Sequence, residues 1–192
     1  MKRHLQTAIL MALVTTVLFG LLYPLAVTGL GQLFFPAQAN GGMIVQNGQI
    51  VGSRLIGQPF SSAWYLHPRP SGEGNGYDPV APTGGASNLG PTNRQLVDRV
   101  KTDVEKLQAE NPGTAIPVDL VTTSASGLDP EISPAAAEFQ IPRVARERHM
   151  SETDLRTLVA KHTLGRQFSA LGEPRVNVVE LNPDLDASHP RI

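Results

Sequence analysis

The longest pattern along the chain is a run without polarity. Ala8 to Val27 reads AILMALVTTVLFGLLYPLAV, twenty positions with no Asp, Glu, Lys, Arg, His, Asn or Gln. At about 1.5 Å per helical residue such a run spans about 30 Å, the thickness of a bilayer's hydrocarbon core. A lone segment in lipid satisfies its own backbone hydrogen bonds only as a helix, so one transmembrane helix is predicted. Tyr23-Pro24 should bend or loosen it near its outer end, because proline removes a backbone donor. Beyond residue 42 the pattern shortens. MIV, QIV and RLIG between Met43 and Gly57 predict two or three short strands, with Asn47-Gly48 as a hairpin turn. Gln58 to Pro91 is rich in proline and glycine and carries no regular period, while Phe60, Trp64, Tyr65 and Tyr77 are spread through it. Rings on an irregular loop must pack on their own domain or on a partner.

Helical periodicity returns at Thr92. Thr92-x-x-Gln95 fits a capping box, and Leu96, Val100, Val104 and Leu107 form one apolar stripe that Asn111-Pro112-Gly113 ends. Pro117–Thr123 (PVDLVTT) predicts a buried strand. Ser133 and Pro134 open a helix that Pro142 should interrupt, with a second piece over 143–148. Ser151 with Asp154 starts another helix, whose Leu155, Leu158 and Val159 face inward. Arg175–Leu181 (RVNVVEL) alternates as a last strand, stopped by Asn182-Pro183. The mixed order predicts an α+β (mixed α/β) domain anchored by one N-terminal transmembrane helix, with the anchor over residues 1–36 and a single outer domain over 37–192.

Charge orients the anchor. Lys2 and Arg3 precede it, and no Lys, Arg, Asp or Glu follows until Arg54. Basic flanks stay in the cytoplasm, so the amino terminus is expected inside and the domain outside, extracytoplasmic. Ala37-Gln38-Ala39 has the form of a signal-cleavage site, but a core of twenty apolar residues exceeds a signal peptide's 7–15, so the helix is expected to stay. Ala8, Ala12, Thr16 and Gly20 recur every four residues as a small-residue face for a partner helix. The outer part holds all 17 acids against 14 of the 16 Lys and Arg, which gives no sign of nucleic-acid binding. Cysteine is absent, so disulfides and thiolate metal sites are excluded.

Enzyme signatures are missing. There is no G-x-S-x-G elbow, no Ser three residues before a Lys and no G-x-x-x-x-G-K-[ST] loop. Gly72, Gly74 and Gly76 alternate without the spacing of a dinucleotide fingerprint. His4, His67, His149, His162 and His189 show no metal-ligand spacing, and Asp78, Asp119 and Asp129 are separated by long stretches. No intrinsic cofactor or metal is expected. A membrane-anchored extracytoplasmic enzyme and a freestanding binding module remain as alternatives.

Seven blocks carry a resemblance: GSRLIGQPF (52–60), HPRPS (67–71), GGASNLGPTN (84–93), PVDLVT (117–122), SGLDPEISPAAA (126–137), QIPRVA (140–145) and GEPRVNVVELN (172–182). In this order and spacing, with the N-terminal helix, the chain resembles the C subunit of the Kdp-type high-affinity potassium-transporting P-type ATPase complex. Glu131 stands where that family usually has His, and Arg69-Pro70 leads into an unusual GEGNGYD. The resemblance implies an accessory, non-catalytic assembly subunit that works with a channel-like potassium-binding subunit, a P-type ATPase subunit and a small stabilising subunit. It also implies a catalytic chaperone that raises the ATPase subunit's affinity for ATP, with Gln140 as the proposed nucleotide contact. The charge rule places Gln140 outside, away from cellular ATP, so ATP is expected only through the ATPase partner. The expectation preferred here is a domain docked over the outer mouth of the channel-like subunit, its contacts drawn from Trp64, Tyr65, Arg69, Asn88, Asn93, Asp129 and Arg143.

Overall fold

The computed structural model describes residues 1–46, 48–72, 77 and 87–190. The chain divides into two compact units, Met1–Met43 and Ile44–Ile192. In the first, one helix of 33 residues runs from Lys2 to Phe34, long and apolar enough to cross a membrane. It comprises α1 (Lys2–Thr15), a π-type segment (Thr16–Leu22) and α2 (Tyr23–Phe34), followed by the short α3 (Pro36–Ala39). Pro24 neither ends nor breaks the helix. Its ring would crowd the carbonyl of Gly20 and leave it without a donor. The backbone answers in the turn before it, where hydrogen bonds shift to wider spacing and Tyr23 N donates to the Leu18 carbonyl.

The second unit opens with β1 (Met43–Gln46) and β2 (Gln49–Ser53), neighbours in a two-stranded sheet. Gly48 takes the positive φ that a tight turn needs, and Asn47 lies outside the described residues. The expected third strand over RLIG is a turn instead. There Gly57 N donates to the Leu128 carbonyl, and a Cβ on Gly57 would collide with the Tyr77 ring and stand 2.9 Å from the Asp129 carbonyl oxygen. Glycine is therefore required by close approach.

Helix α4 (Arg94–Glu110) begins one residue later than the capping box suggested, since Asn93 Oδ1, not Thr92, accepts from Gln95 N at 2.8 Å. Its stripe of Leu96, Val100, Val104 and Leu107 is half-buried, with Leu107 against the central core. The expected strand over 117–123 is a 3-10 turn at Val118–Leu120, where Pro117 fixes φ before it. The core is built by β3 (Glu131–Ile132), α5 (Pro134–Glu147), α6 (Glu152–Lys161), β4 (Thr163–Leu164), β5 (Arg175–Asn177) and α7 (Val178–Ser188). The three strands pair antiparallel in the order β3-β5-β4, with Ile132 and Thr163 both opposite Val176. Ile132, Ala136, Ile141, Val144, Leu155, Val176, Leu181 and Leu185 form the buried cluster between sheet and helices.

Two expectations fail at prolines. Pro142 lies inside α5, which runs uninterrupted because the buried Ile141, Val144 and Ala145 on either side hold it to the core. The orphaned carbonyl is that of Glu138, at an exposed position where water can reach it. The last strand is likewise cut to three residues. Asn177 Oδ1 accepts from Val179 N at 3.0 Å and Glu180 N at 3.1 Å, a helix cap, so VVELN continues as α7 and Pro183 sits within it.

Candidate functional site

Residues 62–71 contain no helix or strand, yet they bring Leu66 into the domain's core. Leu66 is fully buried. A buried irregular segment needs partners for every peptide group, and here side chains of α5 and α7 provide them. The Ala63 carbonyl accepts from Arg143 Nη1, and the Tyr65 carbonyl from the same atom at 3.0 Å. Arg148 Nε donates to the Trp64 carbonyl at 2.7 Å. Asn182 then brackets Leu66, accepting from its N–H at 3.0 Å and donating to its carbonyl at 2.9 Å. Gln140 does the same for His67, at 2.8 and 3.1 Å. Successive peptide groups of an extended chain point to opposite sides. The strap is thereby stitched to α5 on one flank and α7 on the other by two carboxamides acting as substitute strands.

Charged groups reinforce the stitching. Arg143, 7% exposed, sends Nε to Glu110 of α4 at 2.7 Å and Nη2 to Gln140 Oε1 at 2.8 Å. Arg148, its side chain 1% exposed, binds Asp186 at 2.7 Å and the His189 carbonyl at 3.1 Å, and lies 5.1 Å over the Tyr65 ring. The Tyr65 hydroxyl donates to Asp186 at 2.6 Å. Buried guanidiniums are tolerable only when paired and hydrogen-bonded in this way. Burial, and then the Arg143 charge, hold the His67 pKa below its usual value, while His67 Nε2 reaches the Ser62 carbonyl at 3.0 Å. A carbonyl only accepts, so that nitrogen carries the proton of the neutral ring.

A second polar group lies farther along the strap. Arg69 pairs with Asp129 at 3.1 Å and reaches the Thr123 carbonyl at 3.3 Å. Asp129 Oδ1 also accepts from Glu131 N at 2.9 Å. Glu131 forms a 2.7 Å ion pair with Arg175 across the β3-β5 edge. Asp119 accepts from both N and Oγ of Ser133 at 2.7 and 3.0 Å, holding the start of α5. These residues line an open cleft of about 480 Å³. The Tyr77 hydroxyl, its pKa raised by burial, donates to the Arg69 carbonyl at 2.6 Å. Among the described residues each cleft acid accepts from a neighbour. Among the described residues no cluster of three His, Asp or Glu side chains is placed to hold a metal ion.

The residues singled out from sequence thus fall in four places. Trp64, Tyr65, Gln140 and Arg143 meet at the strap, and Arg69 and Asp129 meet at the cleft. Asn93 caps α4, and Asn88, exposed with φ +50, lies on the approach to it. Ala8, Ala12, Thr16 and Gly20 are exposed on the long helix of the first unit. Gln140 is 1% exposed. Its amide donates to the His67 and Ala136 carbonyls, and its oxygen accepts from His67 N and Arg143. That uses all four hydrogen-bonding positions of a carboxamide and leaves none for a nucleotide. Asp78, Gly74 and Gly76 lie outside the described residues. Sequence reasoning missed Asn182, Arg148, Glu110 and Asp186. Asn182 alone carried a signal, as the polar residue that with Pro183 ends RVNVVEL.

Comparison with known proteins assigns this architecture to a family. The profile described as KdpC: K+-transporting ATPase, c chain, matches residues 5–187. A Koribacter versatilis protein named potassium-transporting ATPase KdpC subunit is 63% identical over 190 residues, covering 99% of this chain and 97% of that protein. Proteins of the same name from Acidobacterium capsulatum and Rhodopseudomonas palustris (strain BisB18) are each 54% identical, over 187 and 199 residues, covering 97% and 98% of this chain and 99% and 100% of theirs. The chain belongs to the KdpC family, the c chain of K+-transporting ATPases.

Proposed function

We propose that this chain is a non-catalytic accessory subunit of an ATP-driven potassium-import complex, anchored in the cell inner membrane with its amino terminus in the cytoplasm and its domain outside. Its partners are a channel-like potassium-binding subunit, a P-type ATPase subunit and a small stabilising subunit, and the domain docks over the outer mouth of the channel-like subunit. The relatives' shared name supports the complex, and the absence of charge between Arg3 and Arg54 supports the orientation. The observation that carries the non-catalytic reading is the engagement of Gln140 and Arg143 with the strap's own backbone. Groups that would touch a nucleotide or a reacting atom instead hold the domain's shape, and ATP acts only at the ATPase partner.

Potassium-stimulated ATPase activity tests this directly. Membranes lacking the chain are expected to lose the activity, and the parent chain to restore it. A folded Gln140→Met chain is expected to restore it with the KM for ATP unchanged. A several-fold rise in that KM, with the complex intact, would return Gln140 to nucleotide contact.

A further inference from the structure

Between β4 and β5 the chain leaves the domain. Every residue from Gly165 to Pro174 is exposed, and the loop projects as a finger whose base, Glu173 and Pro174, lines the cleft. It is not slack. Gln167 N donates to the Leu171 carbonyl at 2.8 Å, and the Gln167 carbonyl accepts from Leu171 N at 2.8 Å and Ala170 N at 3.1 Å. Below the tip Arg166 Nη2 grips both oxygens of Glu173, at 2.8 and 2.7 Å.

The tip is Phe168, 91% exposed, with Leu171 at 60% in the same loop. Phe168 and Ser169 both have positive φ, +52 and +61. Consecutive left-handed residues make the tight turn that Asn-Gly normally fills. A bulky aromatic there is an outlier. A strained backbone that presents a bare ring in water has no stabilising role within the chain, and such strain persists where the presented group has a task.

We infer that Phe168 is an aromatic knob that seats in a preformed apolar socket on another protein subunit of the complex. This rests on the reading of the chain as a subunit. Charge and rigidity choose the occupant. Arg166 and Glu173 cancel, so the finger carries no net charge, whereas attachment to an anionic lipid surface calls for an excess of Lys and Arg. Fluid lipid also needs no fixed backbone geometry, but a socket does, because pre-ordering the ring lowers the entropy lost on docking. A buried Phe removes about 150–250 Å² from water and is the kind of anchor around which an interface concentrates its affinity.

Two measurements on the full chain in its complex test the knob. A photoreactive benzophenone analogue of phenylalanine at position 168 is expected to form an adduct with a different protein subunit. An adduct with lipid, an adduct with a second copy of this chain, or no adduct while the chain stays assembled would each overturn it. Phe168→Gly relieves the turn and removes the ring. The purified variant is therefore expected to melt at or above the parent's temperature while associating with the other subunits at least tenfold more weakly. Unchanged association would overturn the knob, and a lower melting temperature that accounts for the loss would place Phe168 in the domain's own stability instead. If the parent chain itself fails to assemble, the subunit reading falls and the knob falls with it. If the parent assembles and the variant does so equally well, only the knob falls.

Discussion

Gln140 and Asn182 perform the work of neighbouring strands for a segment that has none. Each carboxamide offers a donor and an acceptor in nearly the spacing of a peptide group, and so closes a two-bond ring on His67 or Leu66. Truncating either leaves buried backbone groups unpaired, which costs about 1–3 kcal/mol for each group. Gln140→Ala and Asn182→Ala are therefore expected to lower stability by about 2–5 kcal/mol in urea unfolding, a loss that a merely ligand-facing glutamine would not show. His67 adds a pH dependence. Its pKa is lowered in the folded state by burial and by Arg143, with Lys106 acting in the same sense and Glu110 opposing, so the unfolded chain binds the proton more readily. Stability should be level above about pH 6.5 and fall as the pH drops from there through the depressed folded-state value. In His67→Gln that slope should disappear from the unfolding midpoint. Sequence named Gln140 and Arg143 but not what they touch, because their partners lie 73 to 80 residues earlier in a stretch without period.

At the scale of elements, what could be read in advance was whatever short-range chemistry decides. The apolar helix, the Ser133 and Ser151 caps and the amphipathic α4 all follow from neighbours within one or two turns. The failures have different causes, and at Pro142 tertiary burial overrode a local signal. Pro142 would end an isolated helix, but α5 is buried on both sides of it. Pro142→Ala restores a backbone donor for the Glu138 carbonyl and is expected to stabilise the domain by up to about 3 kcal/mol, seen as a higher urea midpoint at unchanged m-value. VVEL suits strand and helix equally by composition, and only the Asn177 cap decides between them. Asn177 also donates to the Arg54 carbonyl at 2.8 Å. Asn177→Ala should fray the start of α7 and cost about 1–2 kcal/mol, measured by loss of hydrogen-exchange protection across Val178–Leu181. In the long helix, the wider turns at Thr16–Leu22 change the drift of the four-residue spacing that joins Ala12 to Thr16 and Gly20. No local rule predicts that adjustment, though Pro24 supplies its cause.

For the whole molecule, the uncharged run Ala8–Val27 within the long helix gives an anchor but offers no polar path for an ion. The second unit supplies a stitched body with an exposed finger. Trp64, Tyr65 and Arg143, three of the residues expected at a partner contact, also meet one another within the domain. The candidate contact, Phe168, had no sequence signal, because only its backbone angle and exposure mark it. The proposed side of the membrane rests on charge alone. A cysteine introduced by Ser188→Cys, at an exposed position closing α7, is expected to react with an impermeant thiol reagent in cells whose outer membrane has been permeabilised. Protection there would reverse the orientation. The subunit role itself is tested by purifying the tagged full chain from membranes under mild detergent and identifying what accompanies it. A P-type ATPase subunit and a channel-like subunit in fixed proportion to the chain are expected, and recovery of the chain alone from cells that express all of them would contradict the role.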